Sequence, residues 1–392
     1  MTQHRNHRPM PIFLDHQATT PCDPAVLEAM LPFFKEAFGN PHSVENAYGW
    51  QAEEAVEEAR AQLAGLIGAE PREIVFTSGA TEANNLAIKG ALRFRARLGR
   101  RKVVTLASEH KCVLESVRSL GEEGFPVEIL PVASDGLVDL EALRAAVDEE
   151  TALVSVMAAN NEIGTLQPLA EVAEIAHDKG AWLHSDAAQA AGKVPLDVRA
   201  LDLDLVSLSG HKLYGPKGIG ALFVRRRPRV RLEPLFSGGG QERGLRSGTL
   251  APALCVGFGK AAALAGELRE AEAERLWRLN RRLLAALRAG VPGLRLNGHA
   301  ERRLPGNLNV TLPGIDAQAL LKAVPELALS TGSACSSASV EPSYVLRAIG
   351  LAEAEARASL RIGLGRGTDE AQVERAAELL VAAAGRLAAA AA

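Results

Sequence analysis

The stretch that decides the fold is Ser207-Leu-Ser-Gly-His-Lys-Leu-Tyr-Gly-Pro-Lys-Gly-Ile-Gly220, which joins two apolar runs of the β type. The glycines and the proline predict a loop whose backbone can approach a ligand closely, because glycine carries no Cβ. Lys212 lies beside His211 and two serines. That setting suits an aldehyde cofactor bearing a phosphate, because the amine can form a Schiff base while hydroxyl and imidazole groups bind phosphate oxygens. On this stretch alone, a solvated surface lysine remains the alternative.

Length and composition predict an ordinary globular protein of two domains. The chain has 392 residues, of which 47% are hydrophobic and 23% charged, and its length exceeds that of a single hydrophobic core. The net charge of -3 gives no basic field for nucleic acid or an anionic membrane. No apolar run reaches the roughly 18 residues of a membrane span, and the first nine residues lack the apolar core of a signal peptide.

The cysteines favour a reducing compartment. Cys22, Cys112, Cys255 and Cys335 are widely spaced and form no C-x-x-C pair, which argues against a disulfide framework and against structural zinc. We therefore expect a cytoplasmic protein without a metal site. Three of the cysteines have plain structural interpretations. Cys335 differs, because its neighbours are small and flexible residues, as an exposed nucleophile requires.

Alternating strand and helix patterns predict an α/β fold with a mostly parallel, seven-stranded sheet between helix layers. The strand candidates are Ile74–Thr77, Val103–Leu106, Val127–Leu130, Leu153–Met157, Trp182–Ser185, Leu205–Leu208 and Ala221–Val224. We expect a large domain over residues 15–260. A long helix, about residues 252–289, leads into a smaller α+β domain formed by residues 261–392 together with residues 1–14.

Several predicted strands are followed by polar loops, which places these loops at the edge of the sheet where ligands bind in open α/β folds. Thr77-Ser-Gly-Ala-Thr-Glu82 opens a helix, so its N–H groups and the Thr81 hydroxyl suit a phosphate, or form an ordinary N-cap. His110 follows the next strand. It can stack on a planar ring or move protons, with a surface histidine as the alternative.

A second pair of loops has the same placement. Asp186 follows a strand and can pair with a ring nitrogen, which makes the ring an electron sink, or it can cap a helix. Gln189 can then reach a phenolic oxygen. The glycine-rich loop 238–249 has the composition of an anion nest and can close a phosphate site across a subunit boundary. Arg361, on a short strand, can bind a carboxylate in a bidentate manner through two of its guanidinium nitrogens.

Together these segments resemble the cysteine desulfurases, in the class V aminotransferase group of fold-type I pyridoxal-phosphate (PLP) enzymes. Ser-Gly-Ala-Thr-Glu, Glu-His-Lys, Asn-Asn-Glu-Ile-Gly, His-x-Asp-Ala-x-Gln, Ser-x-His-Lys-x-x-Gly-Pro-Lys-Gly and Arg-Ser-Gly-Thr occur in family order over almost the whole chain. The segment around Cys335 resembles the long-loop group I enzymes of the NifS/IscS kind. Gln17 and Gln241 depart from the residues usual in the family.

The resemblance implies roles for individual residues. Lys212 is the Schiff-base lysine, Cys335 takes sulfur from L-cysteine as a persulfide, and His110 stacks on the ring and transfers protons. Asn161 and Arg361 receive the substrate carboxylate. The implied cofactor-binding residues are Ala80, Thr81, His110, Asn161, Asp186, Gln189, Ser209, His211, Lys212 and, from the partner subunit of a homodimer, Thr249.

The resemblance also implies partners and leaves rivals. The persulfide sulfur passes to an acceptor such as an iron–sulfur scaffold or a tRNA-thiolation enzyme, and the sequence does not say which. One rival is an aminotransferase or selenocysteine lyase on the same scaffold, against which the Cys335 loop argues, because transamination needs no thiol. The other is a non-catalytic sulfur carrier, against which the presence of Lys212, Asp186 and His110 argues.

Overall fold

The structure is a computed structural model that describes residues 10–331 and 341–391. Its strands are β1 (Ile12–Phe13), β2 (Ile74–Thr77), β3 (Lys102–Leu106), β4 (Val127–Leu130), β5 (Thr151–Ser155), β6 (Trp182–Asp186), β7 (Leu205–Ser209), β8 (Gly220–Val224), β9 (Arg295–Leu296), β10 (Asn307–Thr311), β11 (Leu327–Ala328) and β12 (Ser359–Gly363). Its helices are α1 (Pro24–Met30), α2 (Pro32–Lys35), α3 (Ala47–Leu66), α4 (Ala80–Ala96), α5 (Lys111–Glu122), α6 (Leu140–Ala146), α7 (Leu169–Asp178), α8 (Pro252–Gly290), α9 (Ala317–Ala323), α10 (Tyr344–Ala348), α11 (Glu353–Arg357) and α12 (Glu370–Ala391).

The central sheet confirms the predicted fold class. Within the described residues it has seven strands in the order β2-β8-β7-β6-β5-β3-β4. The pairs from β7 to β4 are parallel, whereas β8 is antiparallel to both of its neighbours. Strands β2, β3, β5, β6 and β7 therefore end at the same edge of the sheet, where the loops singled out from the sequence follow them.

Two predicted helices have different bounds. The helical spacing of apolar residues over 24–38 predicts one helix, but the structure divides it into α1 and α2. Helix α2 begins at Pro32, whose ring nitrogen cannot donate a hydrogen bond to the preceding turn. The amphipathic pattern of residues 53–67 predicts a helix from Glu53, but this helix begins at Ala47, because Asn46 caps it by accepting a hydrogen bond from the Gly49 N–H at 3.0 Å.

Helix α8 contributes to two hydrophobic cores. Its first part, with Phe258 and Ala265, packs into the core beneath the central sheet. Its later part, with Leu279 and Leu287, packs against β10, β12 and α12 in a second core that also includes Leu14. The domain boundary that we predicted after residue 260 falls within this helix. In the described part of the chain, no helix combines the length and apolar character needed to cross a membrane.

A buried ion pair fastens the glycine-rich loop to the large core. Glu242 accepts two hydrogen bonds of 2.8 Å from the Arg60 guanidinium on α3 and one of 2.6 Å from the Phe76 N–H on β2. The side chains of Arg60 and Glu242 are 4% and 2% exposed, whereas Glu57, a further partner of Arg60, is 55% exposed. Such a pair contributes little net stability, but removal of one partner leaves a buried charge uncompensated.

We therefore expect Glu242→Ala to lower the free energy of unfolding by about 3–5 kcal/mol, because Arg60 keeps its charge in an apolar setting. The matched control is Glu57→Ala, which removes the exposed partner of the same arginine and lowers the free energy of unfolding by about 1 kcal/mol or less. Chemical denaturation of both variants measures the difference. Equal losses for the two variants would contradict a dominant role of the buried pair.

Candidate active site

A cavity of about 450 Å³ opens at the carboxyl ends of the parallel strands. It collects side chains from loops that are far apart in the sequence. Among the residues predicted from the sequence, the lining includes Ala80, Thr81, His110, Asn161, Asp186, Gln189, Ser209, His211, Lys212 and Arg361. Thr249 is exposed and does not line this cavity of its own chain. Cys335 lies outside the described residues.

Lys212 projects from a short 3₁₀ turn that continues β7. Its Nζ donates hydrogen bonds to the backbone carbonyls of Gln17 at 2.5 Å and Ala18 at 2.7 Å. The neighbouring His211 carbonyl accepts a hydrogen bond from the Thr20 N–H at 3.0 Å. The N-terminal segment therefore forms one wall of the cavity and holds the amine in place. No pattern in the sequence indicated this role of Gln17.

One end of the cavity is suited to an anion. Helix α4 begins there at Ala80, so its unpaired N–H groups and positive dipole end face the cavity, and Ser209 and His211 lie close by. Gly220 permits the approach of this turn, because a Cβ at residue 220 would come within 2.5 Å of the Gly79 backbone. Burial, together with the charges of Lys212, Lys217 and Lys193, lowers the pKa of His211 to about 4. A phosphate group would offset this concentration of positive charge.

Asp186 is held from two sides at the end of β6. It is 5% exposed, and its Oδ1 accepts a hydrogen bond from the Ala188 N–H at 3.0 Å. Its Oδ2 accepts a hydrogen bond of 2.7 Å from the Asn84 amide on α4. The sequence pattern did not identify Asn84, because a polar residue within a helix gives no sign of a partner 102 residues away.

His110 and Cys112 form a second group on the cavity wall. The His110 side chain caps α5, since its Nδ1 accepts a hydrogen bond from the Cys112 N–H at 3.2 Å, and the neutral ring therefore carries its proton on Nε2. The Cys112 Sγ lies 2.9 Å from the same nitrogen and accepts a hydrogen bond from Asn84 at 3.0 Å. The purely structural interpretation of Cys112 is thus incomplete, because its thiol lines the cavity.

The same group offers atoms that a metal ion could use. Ligand atoms of His110, Cys112 and Asp186 lie within 4.8 Å of one another. Thiol, imidazole and carboxylate are ligands that zinc accepts. The sequence indicates no metal site, and two of these residues belong to the predicted cofactor site. The absence of a metal therefore stays a prediction.

Arg361 is 2% exposed and lies on β12, between the segment that follows β1 and the loop that bears Asn161. Its guanidinium donates to Asp15 Oδ1 at 2.8 Å and to the Asn161 carbonyl at 3.1 Å. Its Nε and the Asn161 Oδ1 have no hydrogen-bond partner within the described residues. Asn160 points elsewhere, to the Ser108 carbonyl at 2.8 Å. A ligand with a carboxylate can therefore satisfy Arg361, and Asn161 is the asparagine that reaches the cavity.

Two buried carboxyl groups near the cavity were not predicted from the sequence. Burial raises the pKa of Glu109 well above its usual range, which favours the neutral acid. Glu109 accepts a hydrogen bond from the Met157 N–H at 2.6 Å. Burial likewise raises the pKa of Glu162, which accepts a hydrogen bond of 2.5 Å from the Ser343 hydroxyl. Both carboxyls fix loops that line the cavity.

The chain is similar to known proteins in both sequence and structure. Residues 12–376 match the family model described as Aminotransferase class-V. The chain is 56% identical over 365 residues to a protein of Arthroderma benhamiae named "Cysteine desulfurase, mitochondrial", covering 93% of this chain and 72% of that one. It is 52% identical over 382 residues to "Cysteine desulfurase IscS" of Rickettsia bellii, covering 97% and 92%. A solved structure titled "NIFS-LIKE PROTEIN" superposes with a TM-score of 0.88 at 36% identity, covering 97% and 100%.

The placement of Asn84 generates a prediction about cofactor binding. Asn84→Ala removes the side-chain donor that orients Asp186, and we expect affinity for PLP to fall about tenfold to a hundredfold, the range for a hydrogen bond to a charged group. The control is Asn85→Ala, because Asn85 donates to the Thr81 carbonyl within its own helix and not to Asp186. Spectroscopic titration of the cofactor-free protein with PLP measures both. Wild-type affinity in Asn84→Ala would show that Asp186 needs no such support.

Proposed function

Because this chain belongs to the aminotransferase class-V family and, within it, to the cysteine desulfurases, we propose that it removes sulfur from L-cysteine with PLP as cofactor. The products are L-alanine and a persulfide on Cys335. The observation that carries the proposal is the single cavity in which Lys212, Asp186 and an anion-binding helix terminus meet at one edge of the sheet. These are the groups that a phosphorylated pyridine aldehyde requires.

The residues of the cavity fit PLP. Ala80, Thr81, Ser209 and His211 would hold the phosphate, since they surround the start of α4, where the charges of Lys212, Lys217 and Lys193 act on His211. Asp186 would hold a proton on the pyridine nitrogen, and Gln189 would approach the phenolic oxygen. When bound, PLP supplies an aldehyde that takes an amine and a ring that stores the negative charge developing at the substrate α-carbon.

The chain's own groups carry the remaining steps. Arg361 and Asn161 bind the substrate carboxylate, and this contact orients the α-hydrogen toward Lys212. The Lys212 amine removes that proton and later returns one, while His110, with its proton on Nε2, is placed to move a proton beside it. A thiolate is needed at Cys335. As a sulfur–sulfur bond forms, the bond from sulfur to the substrate β-carbon breaks, its electron pair stays on carbon, and protonation gives alanine.

The first test of this function is the reaction itself. We expect purified protein loaded with PLP to convert L-cysteine into equal amounts of alanine and, with a reducing thiol, sulfide. Cys335→Ala is expected to lose sulfide release while it retains bound PLP, because Cys335 takes sulfur and does not hold the cofactor.

The controls separate the parts of this proposal. Cys22→Ala removes an exposed cysteine that does not line the cavity, and we expect its activity to equal that of the wild type. Full desulfurase activity in Cys335→Ala would overturn the nucleophile assignment. Absence of alanine with bound PLP would instead indicate a different amino-acid substrate or a transamination.

We further propose that the enzyme is a homodimer and that Thr249 reaches the phosphate of the partner subunit. Support comes from an exposed apolar surface around the start of α3. Phe38, Val44, Tyr48 and Trp50 are 56–68% exposed, and the rings of Phe38 and Tyr48 lie 5.3 Å apart. Clustered apolar exposure of this kind marks interaction sites. Thr249 is also exposed and lies outside the cavity of its own chain.

This arrangement predicts that Phe38→Asp converts a dimer into monomers, because the charge would be buried at the interface without a partner. The matched control is Leu98→Asp, since Leu98 is 65% exposed and lies at the end of a different helix. Sedimentation velocity measures the oligomeric state.

Mixed dimers of Lys212→Ala and Thr249→Ala chains test the role of Thr249. We expect wild-type PLP affinity at the remaining Lys212 site, because the Lys212→Ala chain supplies the intact Thr249 to that site. A monomeric wild-type protein would refute the proposal.

Two further proposals concern the protein that accepts the sulfur and the location of the enzyme in the cell. A persulfide is a donor of sulfur to other thiols, so a protein acceptor such as an iron–sulfur scaffold or a tRNA-thiolation enzyme is proposed, without direct binding of nucleic acid or membrane. A cytoplasmic location is proposed from the spacing of the cysteines. One relative is named as mitochondrial, and cell fractionation distinguishes the two locations.

A further inference from the structure

Lys193 is a half-buried lysine behind the cavity that the mechanism above does not use. Its Nζ donates a hydrogen bond of 3.0 Å to Oε1 of Gln189. Burial lowers the pKa of Lys193 to about 7, and the charge of Lys212 contributes to the shift. A lysine held in this environment is costly to the fold unless its amine has a polar task.

Gln189 is held from its other side by the N-terminal segment. Its Nε2 donates a hydrogen bond of 2.9 Å to the Gln17 carbonyl. That same carbonyl accepts a hydrogen bond from Lys212 at 2.5 Å. Lys193, Gln189 and Lys212 are therefore joined in one chain of contacts through a single backbone oxygen.

These partners leave the Gln189 amide only one orientation. The Gln17 carbonyl can only accept, so it requires the NH₂ group of the amide on its side, and the Lys193 amine in its charged form can only donate. If the amide turned over, its oxygen would face the Gln17 carbonyl and its NH₂ would face the Lys193 amine, so that both hydrogen bonds would be lost. In the observed orientation, Nε2 retains a second hydrogen for the cavity that Gln189 lines.

We propose that Lys193 is a positioning residue that locks the Gln189 amide so that its NH₂ group, and not its oxygen, faces the phenolic oxygen of the bound cofactor. This inference rests on the proposed PLP-dependent function. A donor at that oxygen would stabilise its negative charge and so would lower the pH at which the absorption band of the bound cofactor titrates. An amide oxygen at the same place would have the opposite effect.

Other charged groups surround Lys193 and act on the same titration. One adjacent cavity of about 30 Å³ is shared with titratable groups of the N-terminal segment, of α8 and of the loop after β12. A wider cavity of about 560 Å³ on the other side adds further charged groups of α8 and of the loop before β10. These groups are His16, Lys212, Tyr214, Arg269, Glu270, Glu272, Glu301, Arg303 and Arg366. They stay unchanged in the variants below, so differences between variants report Lys193.

The test is a pH titration of the absorption band of PLP bound to the full-length protein. In Lys193→Met we expect the midpoint to rise by about one pH unit and PLP affinity to fall about tenfold, the effect of one lost hydrogen bond to a charged group. Lys193→Arg keeps a hydrogen-bond donor at this position, so we expect its titration midpoint and its PLP affinity to stay close to those of the wild type. Lys179→Met removes an exposed lysine that pairs with Glu149, and we expect it to titrate like the wild type.

A second background separates positioning from a simple charge effect. In Gln189→Ala protein, Lys193→Met is expected to cause no further shift of the midpoint, because its action passes through the amide. A full shift in that background, or an unchanged midpoint in Lys193→Met alone, would overturn the inference. Thermal unfolding of each cofactor-free variant shows whether it is folded. If the wild type binds no PLP, the proposed function fails. If the wild type binds PLP and its midpoint is the same in Lys193→Met, only the inference about Lys193 fails.

Discussion

The contact on which the site depends is the ion pair between Arg361 and Asp15. It joins strand β12 to the segment that follows β1, and Arg361 also donates to the backbone beside the central sheet. Asp15 further accepts a hydrogen bond from the Ser330 hydroxyl at 3.1 Å. Because Arg361 is almost fully buried, its position is fixed before any substrate arrives. The small sheet, the N-terminal segment and the central sheet therefore meet at the residue proposed to bind the substrate carboxylate.

Charge and burial divide the cavity into parts with different chemistry. Lysine amines and a helix terminus concentrate positive charge around His211, which suits a phosphate. Farther along the sheet edge, Asp186 keeps its contacts with two N–H donors, which suits a protonated ring nitrogen. Between them, carbonyls of the N-terminal segment hold Lys212. A ring that carries a phosphate at one side would therefore be oriented by electrostatics as well as by shape.

The strands and the loops that follow them were predictable because their signals are local. Residues 74–77 and 127–130 form strands with the predicted bounds, since apolar runs bounded by turn residues carry the pattern themselves. The supporting contacts were not predictable in this way. Asp15 lies 346 residues from Arg361 in sequence, and Asn84 has the sequence context of an ordinary helical residue. Only the folded chain reveals such pairs, because the sheet topology brings their elements together.

The buried pair of Glu242 and Arg60 has a consequence for assembly. The loop that bears Thr249 is anchored at Glu242, whose carboxylate is embedded between α3 and β2, so this part of the loop moves only with the core of its own subunit. In a dimer, each subunit would then extend a stiff arm toward its neighbour's phosphate site. Separation of the subunits would remove Thr249 from the phosphate site of the neighbouring subunit. Retention of the cofactor and association of the subunits would thus be thermodynamically linked, with each strengthening the other.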